Sequence, residues 1–284
     1  MDLKRNRKLN QIRKKILDYY QQVEVMDDEI KDALNFLKRL NFFTISTTNL
    51  VFPNDFSLKY KKFSFKIYYA DDLKMHYVYH QNKKLFFPKS MTPKHIRKYY
   101  LSICVEQDAH SPHCYLDNNF HVNDGDVCLD IGAAEGNFSL GIVDKASKIY
   151  LFEAEKRWLE PLEATFDPWR NKVEIINKYV SNKDTNEYVR LDTFLKSERA
   201  ADFIKIDTEG AEEEVLQGAL DLFTGKKIKI AVTTYHNCDD EKRLTEFLKR
   251  HNLNIQNTNG YMIFLSDPNL SRKYLRRGLI RAQN

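Results

Sequence analysis

The sequence predicts an α/β protein: a Rossmann-like, largely parallel sheet covered by helices, with a small N-terminal α+β appendage. Three observations carry this. From Asn123 onward, short apolar runs alternate with stretches of helical period, the runs being Val127 to Ile131, Lys148 to Phe152, Val173 to Asn177, Phe203 to Ile206 and Ile228 to Thr233. Such runs suit strands buried on both faces, as in parallel sheets. The first and fourth of them lead into an acidic residue and a glycine turn, Asp130 with Gly132 and Gly136, and Asp207 with Gly210. Before Asn123 the texture differs, with helical spacing first and an aromatic, β-branched region after it.

The elements follow in order. A chain of 284 residues with 42% hydrophobic content can bury one substantial core, and at roughly 150 residues per domain there is room for two. The expected division is an appendage over residues 1–115 and a main domain over 116–284. Leu9, Ile12, Ile16, Tyr20 and Val23, then Ile30, Leu34 and Leu37, recur at helical intervals and predict two amphipathic helices. The region from Phe42 to Pro88 predicts a small antiparallel sheet, with runs at Phe65 to Ala70, Met75 to His80 and Leu85 to Phe87 separated by polar turns. Thr92-Pro93 is a helix start, the threonine as N-cap and the proline at the first helical position. Glu106 to Tyr115 is polar and aperiodic, contains Ser111-Pro112, and reads as the loop at the domain junction. At the far end Asn254 to Asn257, Gly260 and Tyr261 to Leu265 predict two strands meeting at a turn, an antiparallel edge to the sheet.

Composition excludes several classes. No apolar run approaches the roughly 20 residues that cross a bilayer. The basic start, MDLKRNRKLNQIRKK, is not followed by the apolar stretch of a secretory signal, so a cytoplasmic location is expected. Cys104, Cys114, Cys128 and Cys238 include no Cys-x-x-Cys pair and are expected to be reduced, with Cys128 a core residue. The net charge of +5 is mild, so no dedicated nucleic-acid binding is expected. The basic residues crowd both ends, Lys4 to Lys15 and then Arg272, Lys273, Arg276, Arg277 and Arg281, and are expected on solvated faces.

The chemistry-bearing motifs lie in the second half. In VCLDIGAAEGNFSL a buried strand ends at Asp130, and Gly132 and Gly136 allow a ligand close approach to the backbone before the next helix. The spacing is not the Gly-x-Gly-x-x-Gly that cradles a pyrophosphate. An acidic residue there suits the ammonium or sulfonium of S-adenosylmethionine. Glu153, ending the second strand, is placed to accept hydrogen bonds from ribose hydroxyls. Phe152 and Trp158 are candidates to flank an adenine, with core packing the competing role. Ser181, after the third strand, is where adenine-edge contacts are expected. The fourth strand runs into Asp207 and Glu209, with Lys205 expected to pair with carboxylates nearby. The fifth delivers Tyr235 and His236 to the same edge. His110, His113 and Tyr115 in the linker either line a saccharide site or pack the junction.

LDIGAAEGNFSL, LFEAE and FIKIDTEGAEEEVLQGA together resemble the FkbM family of S-adenosylmethionine-dependent methyltransferases, over roughly Val122 to Leu265. The resemblance implies the class I methyltransferase fold and methylation of a hydroxyl on a sugar, glycoconjugate or natural-product scaffold. It places Asp130, Gly132, Gly136 and Glu153 in cofactor binding and Asp207, Glu209 and Glu212 in the family's acidic motif. The catalytic expectation is that His236 accepts the acceptor's proton while Asp207 and Glu209 orient it, with no metal. The alternative is that Asp207, Glu209 and His236 gather a divalent cation. A NAD-dependent oxidoreductase shares the sheet but needs the glycine pattern missing here, and a catalytically silent module that keeps the fold stays open.

Overall fold

The computed structural model describes residues 3–39, 49–196, 198, 201–224 and 227–284. The appendage begins with helices α1 (Leu3–Tyr20) and α2 (Asp28–Arg39), as the spacing predicts. Ile16, Tyr20, Leu34 and Leu37 are buried against each other and against Ile263, Leu270 and Leu275. The start of the expected small sheet, residues 42–48, lies outside the described residues. Beyond it come β1 (Leu50–Val51) and the antiparallel trio β2 (Tyr68–Ala70), β3 (Met75–His80) and β4 (Lys83–Phe86). Helix α3 (Pro93–Glu106) starts at Thr92, whose side chain accepts from the His95 amide.

The main unit follows as β5 (Val127–Ile131), α4 (Asn137–Ile142), β6 (Lys148–Phe152), α5 (Leu159–Phe166) and β7 (Val173–Ile176). A separate two-stranded parallel ribbon, β8 (Tyr179–Val180) and β9 (Tyr188–Val189), precedes the short helix α6 (Leu191–Phe194). The sheet resumes with β10 (Phe203–Ile206), α7 (Glu212–Gln217), β11 (Lys229–Thr233), α8 (Asp240–Arg250) and β12 (Asn254–Asn257). The chain closes with β13 (Ile263–Phe264) and β14 (Leu279–Gln283). The seven-stranded sheet has the order β7-β6-β5-β10-β11-β14-β12. Strand β14 alone runs against its neighbours, and the whole is a Rossmann-like α/β sheet.

The far edge differs from the expected hairpin. β13 pairs with β1 of the appendage, while the antiparallel partner of β12 is β14. Periodicity concealed β14 because its run of apolar residues is broken by Arg281 and follows a basic cluster. Three arginines of the same basic cluster do not lie on a solvated face. Arg276 and Arg281 are buried: Arg276 donates to the carbonyls of Tyr235 (2.6 Å) and His236 (3.1 Å) and pairs with Asp267. Arg281 donates to the Cys114 carbonyl at 2.7 Å and pairs with Asp117. Arg277 pairs with Glu29 of α2. A buried guanidinium is tolerable only with such a full set of acceptors.

Core clusters cover both faces of the sheet. On one face Leu140, Ile149, Leu162 and Phe166 pack with Val78, Leu85, Phe87, Ile96 and Tyr100, so the small sheet and α3 share a core with the main sheet. Each fully buried aliphatic or aromatic side chain contributes about 1.5–3 kcal/mol, so this shared cluster is a substantial link across residue 115. The other face packs Ile204, Ile206, Val215, Leu216, Leu244 and Leu248. Among the described residues no helix is long and apolar enough to cross a membrane.

Candidate active site

The carboxyl ends of β5, β6, β10 and β11 open on one side of the sheet, where open α/β sheets bind ligands. They carry Asp130 to Gly132, Glu153, Asp207 and Tyr235-His236 to a common mouth.

The first loop is shaped by close packing. Gly132 has φ +74, and a Cβ there would stand 1.9 Å from the Asp207 carbonyl oxygen. Gly136 has φ +82, and its Cβ would meet Phe166 and Leu162 at 2.7 and 2.8 Å. Between them Ala134 also holds a left-handed φ of 47°, a costly conformation for a residue with a side chain. The Ala134 amide donates to Glu153 Oε2 and the Glu155 amide to Glu153 Oε1, both at 2.7 Å. Burial raises the Glu153 carboxyl above its usual range, against these two amides. Each of its oxygens keeps a further lone pair, so the side chain fits the ribose hydroxyls of a nucleoside cofactor.

Asp130 is placed differently from the expectation. It is fully buried, accepts from Ser139 Oγ at 2.7 Å and faces Lys205 Nζ at 3.0 Å. The pairing follows from register, since Lys205 is the β-partner of Asp130 on the adjacent parallel strand. Burial pulls the Lys205 ammonium down, but Asp130 and Asp207 outweigh it and keep it charged. Lys205 Nζ also donates to the Gly132 carbonyl at 2.6 Å. Asp130 therefore anchors the loop from beneath, and its partner is a lysine of the protein. Ser181 is buried, its amide donates to the Val189 carbonyl, and its own carbonyl packs on Gly218, so its backbone is committed to the β8–β9 ribbon. Phe152 and Trp158 are core residues, packed edge-on to Phe194 and against Tyr99 respectively.

On the other side of the mouth the structure brings Asp207, Glu209 and His236 together and adds Glu212. His236 Nε2 lies 3.7 Å from both Asp207 Oδ1 and Glu209 Oε2, and Nδ1 lies 2.9 Å from Glu212 Oε1. Burial by itself would push the imidazole down, but Glu212, Asp207 and Glu209 outweigh it and hold it up to about 9. At neutral pH the ring in this arrangement is already protonated, so the expected proton-accepting role does not fit it. Burial alone would raise Asp207, but Lys205, His236 and the Tyr115 hydrogen bond outweigh it and hold the carboxyl below its usual range. Glu209 is exposed and sits at φ 57, a second left-handed non-glycine in the loops of the mouth.

The linker supplies what the strands do not. Tyr115 donates to Asp207 Oδ2 at 2.7 Å, and buried His113 has Nε2 3.2 Å from the Tyr235 hydroxyl. Burial pushes His113 down to about 4, so it is neutral. His110 lies outside this group, exposed and turned to Asp108. Two further carboxylates were not foreseen. Glu135 accepts from Tyr99 at 2.6 Å and is pushed up to about 7, chiefly by burial. Glu106, at the end of α3, is raised to about 8 by burial and then by Glu135, Asp207 and Glu209. No periodicity marks either one. The only signal for Glu135 was an acidic residue inside a glycine loop, and for Glu106 its place at a helix end beside the junction.

A family model described as the methyltransferase FkbM domain matches residues 96–257, more than half of the chain. Among solved structures, a methyltransferase FkbM from Methylobacillus flagellatus KT is 18% identical, with 66% of this chain and 53% of that chain covered and a TM-score of 0.48. The match thus spans about half of the Methylobacillus protein. TYW2 of M. jannaschii, solved in complex with AdoMet, is 12% identical over 77% of this chain and 89% of that one, with a TM-score of 0.43. A precorrin-6y C5,15-methyltransferase from Geobacter metallireducens GS-15 is 14% identical over 57% and 80%, with a TM-score of 0.39. No curated protein matches the chain. The family match spans the glycine loop, Glu153 and the Asp207 to Glu212 motif together, and the chain belongs to the FkbM family of methyltransferases, which take their methyl group from S-adenosylmethionine.

Proposed function

We propose that the protein O-methylates a hydroxyl of a saccharide, a glycoconjugate or a comparable natural-product acceptor. One observation carries the reading: Gly132 of the cofactor loop packs directly on the backbone of Asp207. Glu153 and the Asp207–Tyr115–His236 group therefore open on one mouth, as a donor and an acceptor side must for in-line transfer. S-adenosylmethionine supplies a methyl carbon on a positively charged sulfur. In this reading Glu153 holds the ribose, the loop from Gly132 to Gly136 fixes the nucleoside side, and Asp207 with Tyr115 orients the acceptor hydroxyl. Such positioning can contribute on the order of 7–11 kcal/mol. Glu209 and His236 complete the acceptor side as hydrogen-bonding groups.

Tyr115 and His113 come from the linker that ends the appendage, which supports a role for residues 1–115 in choosing the acceptor. Aromatic faces beside carboxylates suit a polyhydroxylated ligand. A cytoplasmic location is part of the proposal, since its free cysteines stay reduced there. The test is transfer of labelled methyl groups to a panel of hydroxylated acceptors, with the product located by mass and NMR. A methyl ether and an Asp207→Asn variant that lowers kcat while leaving S-adenosylhomocysteine affinity unchanged are expected. Methylation at nitrogen or carbon would overturn the reading.

A further inference from the structure

Asp207, Glu212 and His236 each offer one ligand atom, and these atoms all lie within 4.8 Å of one another. Proximity of acidic groups alone does not make a site, but two buried side chains here have atoms with no partner. His236 is buried, and neither ring nitrogen has an aligned hydrogen bond. Nδ1 is 2.9 Å from Glu212 Oε1 but off the line of a ring N–H, and Nε2 is 3.7 Å from Asp207 Oδ1, beyond hydrogen-bond range. Glu212 is almost wholly enclosed, and its Oε2 has no partner at all. Buried polar atoms left in this state are costly and call for an explanation, an ion among them.

The surrounding bonds have the form of a ligand set. Asp207 is held through Oδ2 by Tyr115, which leaves Oδ1 facing the imidazole. Glu212 is held through Oε1 by the Thr208 amide (3.0 Å), the Gly210 amide (3.3 Å) and Thr233 Oγ1 (3.1 Å), which leaves Oε2. Metal-binding carboxylates are oriented in this way by hydrogen bonds to protein groups behind them. We propose that Asp207, Glu212 and His236 bind a divalent cation of the magnesium or manganese class, the choice that two carboxylates and one imidazole favour, with the imidazole proton released to water as the ion binds. Its role rests on the methyltransferase reading above. There the cation takes the acceptor hydroxyl as a further ligand and weakens its O–H bond, the electron pair staying on oxygen and the proton leaving to water.

The experiment titrates Mn2+ alone into the full chain and follows free Mn2+ by EPR. One ion bound per chain is expected. Asp207→Asn and Glu212→Gln should each weaken binding by about tenfold or more, while Glu213→Gln, on the surface pair with Arg243, should not. Pulsed EPR of the Mn2+-loaded wild-type protein should show nitrogen coupling from an imidazole, an observation that needs no variant to fold. No saturable binding at millimolar Mn2+, or binding without nitrogen coupling, overturns the site. S-adenosylhomocysteine binding is measured in parallel. Its retention without Mn2+ binding rejects the cation site alone, and its absence beside a nitrogen-coupled Mn2+ rejects the methyltransferase role alone.

Discussion

Lys205 Nζ stands 3.0 Å from Asp130 Oδ1 across two adjacent parallel strands, and both side chains are buried. Removing one partner leaves the other charge without compensation in a dry site, which typically costs about 3–5 kcal/mol. Lys205→Met should therefore destabilise the protein by that amount in urea unfolding, and adding Asp130→Asn should restore a good part of it. A Lys205→Met variant as stable as the wild type would show that the pair is not the anchor of the cofactor loop.

Gly132 and Gly260 share a left-handed φ, +74 and +85, but only Gly132 faces backbone where a Cβ would go. Gly260→Ala should cost about 1–2 kcal/mol, the conformational penalty alone. Gly132→Ala must also displace the Asp207 carbonyl, so it should cost more and abolish S-adenosylhomocysteine binding. Equal effects of the two substitutions on thermal stability and on calorimetric affinity would remove the packing explanation.

Glu153 accepts one backbone amide on each oxygen, and a glutamine offers only one accepting oxygen. Glu153→Gln should weaken S-adenosylhomocysteine by about 1.5–3 kcal/mol, the worth of hydrogen bonds to a charged acceptor. Calorimetry on the folded variant is the check, and unchanged affinity would place the ribose elsewhere.

His80 sits near Tyr100, with Nδ1 3.2 Å from its hydroxyl, and is pushed down to about 4 by burial and then by the Lys83 charge. In the unfolded chain it titrates near 6.5, so between those values the unfolded state binds a proton that the folded state refuses. Its contribution is therefore present above about pH 6.5 and is lost as the pH falls toward 4, by roughly 3 kcal/mol in all. Urea unfolding at pH 7 and pH 5 should show a smaller drop for His80→Gln than for the wild type. Identical drops would mean that His80 is not the group that titrates.

The sequence by itself determined where five strands of the sheet lie along the chain and which residue types end them. Val127 to Ile131 and Phe203 to Ile206 are apolar throughout because helices cover both faces, and an acidic residue follows wherever such a strand gives way to a glycine turn. These are local properties, set by period and by the residue type at one position, so Glu153, Asp207 and His236 were legible one strand at a time. What tertiary structure alone decided is which groups meet. Asp130 looks the same in sequence whether it faces a ligand or Lys205, and only the register of β5 against β10 selects the lysine. Tyr115 reaches Asp207 from far along the chain, and Arg281, which reads as one more exposed charge, instead lies buried and binds the Cys114 carbonyl that leads into Tyr115. The charge state of His236 follows the same rule. An isolated imidazole titrates near 6.5, and three carboxylates drawn from the β10 turn and α7 raise it to about 9. Coulombic coupling and burial depend on distance in space, and separation along the chain carries no record of it.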